Sequence, residues 1–255
     1  MNLKNKITLV TGASAGIGYA IAEVFAEAGS DLILTARRKN KLENLADILR
    51  AKFNIRVLTL ENDIRDYNSV SKLISNLADE WKNIDILVNN AGLARGLNTI
   101  QDGDINDWEE MIDTNVKGLL YMSRSVLPTM VERKSGMVIN IASIAGRGAY
   151  PKGNVYCGTK SAVKTISESM VVDLNGTGVR VCNIDPGMVE TEFSLVRFHG
   201  DNDKAENVYK QFKPLTGRDV AEIALFAATR PAHVAIQDVM VTPLAQANAM
   251  IVDKK

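Results

Sequence analysis

Residues 7–29 read ITLVTGASAGIGYAIAEVFAEAG. The stretch opens on five β-prone residues, Ile7–Thr11, and passes through glycines at 12, 16 and 18. It then places apolar side chains at Ile17, Ala20, Ile21, Val24, Phe25 and Ala28. The opening run suits a strand buried on both faces, and the later spacing gives the i, i+3, i+4 stripe of a helix. Gly29 stands where a glycine closes a helix at its C-terminus. A strand, a glycine turn and a helix in that order build an anion site. The helix N-terminus offers unpaired N–H groups and a partial positive charge. The glycine spacing is G-x-x-x-G-x-G and not the more familiar G-x-G-x-x-G. Either version permits a tight turn and lets a diphosphate reach the backbone. Gly12, Ser14, Ala15, Gly16, Ile17 and Gly18 are therefore the expected phosphate contacts.

The same alternation runs on down the chain. Further strands are predicted at 31–35, 56–60, 84–89, 137–142, 179–184 and within 234–242. Helices are predicted near 40–52, 67–81, 107–131, 155–174 and 217–228. Nearly continuous apolar strands separated by amphipathic helices imply an α/β fold, a doubly wound parallel sheet of seven strands with helices on both faces. Two longer stretches, 93–106 and 187–215, read as irregular, and ligands of such sheets meet the loops beyond the strands' carboxyl ends. No linker composition divides the 255 residues, so a single domain over 1–255 is expected, with 187–215 as its substrate loop.

Composition narrows the class. Thirty basic and thirty acidic side chains cancel, giving no electrostatic reason to expect nucleic acid or an anionic membrane as partner. The N-terminal apolar run is too short for a signal peptide, and no apolar stretch of about 18 residues could span a bilayer. Cys157 and Cys182 form no disulfide framework or metal-ligand spacing, and His199 and His233 add none. A cytoplasmic protein without a metal is the expectation.

The end of the second strand bears on the cofactor. A carboxylate about 20 positions past the glycines would bind ribose hydroxyls and repel a 2′-phosphate. Here the chain reads Thr35-Ala36-Arg37-Arg38-Lys39, with no acid before Glu43. Arg37 and Arg38 favour the additional phosphate of NADP(H), which arginine grips through paired N–H groups. A solvated basic turn is the plainer alternative. Asp63, with Ile64 beside it, stands where a carboxylate could accept from an adenine amino group. Asn90, Ala91 and Gly92 are small enough to let backbone lie against the adenosine ribose.

Tyr156 and Lys160 are four residues apart in a helical run, hence on one face, and Ser143 lies thirteen residues before the tyrosine. A free phenol, with a pKa of about 10, exchanges protons poorly at neutral pH. A cation about 4 Å away contributes roughly 4 kcal/mol at an effective dielectric of about 20. That is equivalent to about three pH units of acidity, less what burial takes back. Ser143 can hold a substrate oxygen by a neutral hydrogen bond. Asn115, in DTNVKG, could bridge Lys160 to solvent through water. Arg147, Arg197 and Lys152 are the cations near the expected site that could hold an acid substrate, and Cys157 reads as packing.

TGASAGIG (11–18), NNAG (89–92), Asn115, Ser143, YCGTK (156–160) and Pro186-Gly187 together resemble the short form of the short-chain dehydrogenase/reductase family, in the family's order. The resemblance implies a Rossmann-type fold and an oxidoreductase acting on CH–OH groups. It implies Tyr156 as acid/base, Lys160 as the group that acidifies it and holds the ribose, Ser143 as the carbonyl-polarising hydroxyl and Asn115 as the holder of a relay water. It places Pro186, Gly187, Val189 and Thr191 at the nicotinamide, and the helices at 107–131 and 155–174 in a homo-oligomer, a dimer or tetramer. The segments 183–201 and 230–243 and KGNVYCGTK are similar to an NADP-dependent subgroup acting on 3-hydroxy acids such as serine, allo-threonine and 3-hydroxypropionate. By that likeness the substrate meets Ser143, Arg147, Tyr156 and Phe193. A 3-oxoacyl reductase, another alcohol dehydrogenase, and a non-catalytic nucleotide sensor on the same fold are the alternatives.

Overall fold

The computed structural model describes residues 2–254. Seven strands form one parallel sheet in the order β3-β2-β1-β4-β5-β6-β7. They are β1 (Ile7–Thr11), β2 (Asp31–Ala36), β3 (Val57–Glu61), β4 (Ile86–Asn89), β5 (Gly136–Ile141), β6 (Val179–Pro186) and β7 (Asp238–Val241). The helices are α1 (Gly16–Glu27), α2 (Lys39–Phe53), α3 (Tyr67–Ser75), α4 (Asp79–Lys82), α5 (Ile105–Ile112), α6 (Leu119–Glu132), α7 (Asn154–Asp173), α8 (Phe193–Arg197), α9 (Asn202–Asn207) and α10 (Gly217–Ala228).

Alternation of side chains along each strand explains the near-continuous apolar runs. Val10, Leu32, Leu34, Ile139 and Ile184 pack to one side with Phe25 of α1 and Val220 of α10. Leu9, Ile33, Leu87, Val138 and Val181 pack to the other with Met122 of α6 and Val163 of α7. The chain continues outward from β1 to β3, then returns to lay β4 on the opposite side of β1. That reversal opens a crevice between the carboxyl ends of β1 and β4, where Gly12 faces Asn90 and Ala91.

Three predicted elements differ. The helix expected over 67–81 is broken, with Asn76 capping α3 and α4 beginning at Asp79. The break turns Leu77 and Trp81 into the core, which a straight continuation would not serve. The helix expected over 107–131 is interrupted by a π-helical turn, Asp113–Gly118, which buries Thr114 and Asn115. Gly118 sits against Ile64 there, and a Cβ on it would fall 2.8 Å from that side chain. Finally, 187–215 is not irregular throughout, since it carries α8 and α9 and returns through a bridge of Val189 with Leu215.

Candidate active site

The glycine turn is shaped by its contacts with β4. Thr11 Oγ1 accepts from the backbone N–H of Asn90 and of Ala91, both at 3.0 Å, and Asn90 Nδ2 donates to Thr11 O at 2.9 Å. Gly12 and Gly16 hold left-handed φ of +65° and +57°, which favour glycine. A Cβ at Gly18 would lie 2.4 Å from Asn90 Nδ2 and 2.5 Å from Gly12 O. Gly18 thus packs the turn from behind, outside the cavity wall. Ala15, the residue before α1, offers no side-chain cap, and the first turn holds no acid. The first N–H groups of α1 are left to meet an anion. These features fit a dinucleotide diphosphate.

A cavity of about 560 Å³ runs from this turn to α7. Gly12, Ser14, Ala15, Gly16, Ile17, Arg37, Arg38, Asp63, Ile64, Asn90, Ala91 and Gly92 line its nucleotide end. Ser143, Tyr156, Lys160, Pro186, Gly187, Val189, Thr191 and Phe193 line the other. Arg38 donates from Nε to Ser14 Oγ at 3.1 Å and from Nη1 to Glu192 at 2.8 Å. Arg37 lies 3.5 Å from Glu110. Asp63 is gripped by Arg65 through both carboxylate oxygens, and that hydrogen bonding holds its carboxyl below the usual range.

Tyr156 and Lys160 share the inner face of α7, as their spacing predicts. Lys160 Nζ donates to Ile141 O at 2.9 Å. Burial pushes the ammonium down to about 8, against the pull of Asp185. Burial pushes the Tyr156 phenol up, and the cation opposing it is Arg197. The Arg197 guanidinium carbon lies 4.9 Å from the Tyr156 ring centre, whereas Lys160 Nζ is 6.0 Å away. The lysine is therefore not the nearest charge to the ring; Arg197, expected only as a candidate to hold an acid substrate, is nearer. Ser143 is pinned from behind. Its N–H donates to Asp185 at 3.2 Å, while its hydroxyl accepts from Ala145 N at 3.1 Å.

Asn115 lies behind the cavity wall. Its Oδ1 accepts from Leu93 N at 2.8 Å, and its Nδ2 donates to Leu93 O and Thr159 Oγ1. The side-chain amide thus ties the π-helical turn to the β4 loop. Gly92 fits between this amide and the lysine, where a Cβ would stand 3.2 Å from Asn115 Oδ1 and 3.3 Å from Lys160 Nζ.

The expectation for Arg147 needs correction. Its guanidinium turns away from the cavity to Asp185, at 2.6 Å, and to Asp238. A fully buried carboxylate such as Asp185 demands a partner, and Arg147 satisfies that demand. Lys152 is exposed and also lies outside the cavity lining. Arg197 alone of the three candidate cations reaches the cavity. It donates to Tyr150 Oη at 2.7 Å, and its buried Nε has no partner. Arg37, Arg38 and Arg95, the other arginines of the lining, each face a glutamate within 3.5 Å. Among the described residues Arg197 has no acidic partner. Phe193 tilts against the Tyr156 ring at 5.6 Å. Tyr150, Tyr209 and Arg95 also line the cavity and carry no sequence motif. Only their nearness to Ser143, to Arg197 or to NNAG could have flagged them.

Comparison with known proteins adds an independent line. A family model described as short chain dehydrogenase matches residues 6–201. An NADP-dependent 3-hydroxy acid dehydrogenase of Schizosaccharomyces pombe is 45% identical, over 99% of this chain and 98% of the relative. Sulfoacetaldehyde reductase 2 of Chromohalobacter salexigens is 44% identical, over 97% of this chain and 98% of the relative. Among solved structures, the closed form of a serine dehydrogenase complexed with NADP+ superposes with a TM-score of 0.91 at 44% identity, covering 98% of this chain and 99% of that one.

Proposed function

This chain belongs to the short-chain dehydrogenase family, and on that premise we propose that it interconverts a small 3-hydroxy acid and its 3-oxo acid or semialdehyde with NADP(H). The observation that carries the substrate class is Arg197. It is a cavity guanidinium without an acidic partner and with an unpaired buried Nε, stacked over the tyrosine. The guanidinium is half-buried with its Nε unsatisfied, and an entering carboxylate would pair with it through charge-assisted hydrogen bonds. The relatives named as NADP-dependent 3-hydroxy acid dehydrogenases support the same class. A sulfonate would suit the guanidinium as well, and the sulfoacetaldehyde reductase relative supports that second reading.

NADP(H) supplies or accepts the hydride when bound. Gly12, Ser14, Ala15, Gly16 and Ile17 would hold its diphosphate, with Gly18 packing the turn. Arg37 and Arg38 would hold the 2′-phosphate, Asp63 and Ile64 the adenine, and Asn90, Ala91 and Gly92 the ribose. Pro186, Gly187, Val189 and Thr191 would flank the nicotinamide. Ser143 donates to the substrate oxygen and fixes it beside Tyr156 Oη. In oxidation Tyr156, as its phenolate, takes the hydroxyl proton, and in reduction the phenol gives a proton to the carbonyl oxygen. Lys160, whose ammonium burial pushes down to about 8, would supply positive charge 6.0 Å from the Tyr156 ring centre when protonated. Arg197 orients the acid group and adds to that charge. Asn115 positions the loop on which Gly92 lies.

We read residues 1–255 as one dinucleotide-binding and catalytic unit. Exposed Ile105, Ile112, Leu120 and Val172 on α5, α6 and α7 support a homo-oligomer built on those helices. Cys157 and Cys182, both buried and unpaired, suit a reducing cytoplasm. No helix among the described residues is long and apolar enough to cross a membrane.

The test is reduction of NADP+ and NAD+ by a panel of serine, allo-threonine, 3-hydroxypropionate, 3-hydroxyisobutyrate, a hydroxysulfonate and neutral alcohols of the same size. The expected kcat/KM favours NADP+ over NAD+ and acids over alcohols, each by at least about tenfold. Equal turnover of alcohols and acids would remove the anion requirement.

A further inference from the structure

Glu192 occupies an unusual position. Its two carboxylate oxygens are divided between two cations, Oε2 on Arg38 Nη1 at 2.8 Å and Oε1 on Lys41 Nζ at 2.9 Å. Arg38 is the residue whose Nε rests on Ser14 of the glycine turn. Glu192 comes from the far side of the cavity and immediately precedes α8, which carries Phe193 and Arg197 onto Tyr156. A single side chain thus joins the expected phosphate end of the cavity to the segment that covers the substrate end.

We propose that Glu192 is a built-in stand-in for the 2′-phosphate, holding Arg38 and Lys41 until that phosphate replaces it and so linking cofactor choice to the placement of α8. This inference rests on the reading of the site as an NADP(H) site. Arg38 and Lys41 bring two positive charges and Glu192 one negative. A phosphate monoester brings about −1.5 to −2 at neutral pH and three acceptor oxygens, a better match for the two cations. A carboxylate left beside that phosphate would be repelled. Glu192 must then withdraw from Arg38 and Lys41, which frees the start of α8 from its phosphate-end anchor while Phe193 and Arg197 keep their places over Tyr156. NAD(H), lacking the phosphate, would leave the Glu192 anchor in place. Lys41, which carries no motif, becomes a determinant of cofactor specificity alongside Arg38. All three side chains are nearly half exposed, so substitutions there should not disturb the fold.

The experiment measures dissociation constants by calorimetry for adenosine 2′,5′-bisphosphate and for ADP, with the wild-type protein, Glu192→Gln and Lys41→Ala. Amide hydrogen exchange over residues 193–198 is followed in the same samples. Glu192→Gln is expected to tighten the bisphosphate about fivefold and leave ADP within about twofold, the size expected for loss of two weak, exposed competing ion pairs. Lys41→Ala is expected to weaken the bisphosphate about tenfold and ADP little. Exchange over 193–198 should rise when the bisphosphate binds, stay unchanged with ADP, and be high in Glu192→Gln without ligand. If wild type binds the two nucleotides equally, the NADP(H) reading fails and this inference with it. If wild type prefers the bisphosphate, but Glu192→Gln does not tighten it or 193–198 exchange is unmoved, the inference alone is overturned.

Discussion

Tyr156→Phe is expected to lower kcat for hydroxy-acid oxidation by about three orders of magnitude while NADP+ binding stays within about twofold. General acid–base catalysis by a positioned group contributes about 10²–10⁴-fold, and the phenol is the one group here placed to trade a proton with the substrate oxygen. Ser143 is held through its N–H by Asp185, and its hydroxyl, which accepts from Ala145 N and lies 3.5 Å from Pro186 O, is bonded to no carboxylate or imidazole. Lys160 directs its ammonium at a backbone carbonyl. The phenylalanine ring keeps the contact with Phe193 and the stacking under Arg197, so the variant should fold. Steady-state kinetics beside calorimetric NADP+ binding measures both quantities. Retention of more than about a tenth of wild-type kcat would assign the proton transfer to another group.

Arg197→Ala is expected to reduce kcat/KM for 3-hydroxy acids about 100-fold, with most of the loss in KM. Hydrogen bonds to a charged partner contribute about 1.5–3 kcal/mol, and tenfold in rate corresponds to about 1.36 kcal/mol. The same substitution removes the nearest cation from the Tyr156 ring. The sign follows from burial already pushing the phenol up, with Arg197 opposing it. Without Arg197 the phenol ionises at higher pH, so the alkaline rise of the oxidation rate should move upward, for neutral alcohols too. Neutral alcohols of equal size should lose less than about tenfold at the wild-type optimum. An equal loss for acids and alcohols would mean that Arg197 acts on the tyrosine and not on the substrate.

The parallel order of the sheet could be read from Leu9-Val10, Leu32-Ile33-Leu34 and Val138-Ile139, because strands covered on both faces need apolar residues at consecutive positions. The glycine turn and the Tyr156–Lys160 pair were equally legible, since both depend on local geometry. The π-helical turn at Asp113–Gly118 was not. One extra residue within a helical turn changes the phase of the apolar stripe without leaving a motif. The choice among Arg147, Arg197 and Lys152 was also out of reach. Arg147 is close to Ser143 in sequence, but Asp185 and Asp238 arrive from β6 and β7 to claim it. Arg197 lies forty-one residues beyond Tyr156, and its nearness to that ring depends on how α8 folds back. No sequence motif singles out Glu192, and its role depends on two cations contributed by the β2–α2 region.

Ultraviolet difference titration of tyrosinate, run on wild type and Tyr156→Phe with and without saturating NADP+, follows the ionisation of this phenol directly. The expected result is a component missing from the Phe variant, with a midpoint above the ordinary phenol value of about 10 in the free protein. With NADP+ bound, that midpoint should fall below the ordinary value. Superimposable curves for the two proteins, or a midpoint that NADP+ does not lower, would contradict a proton transfer carried by Tyr156 beside assembled positive charge.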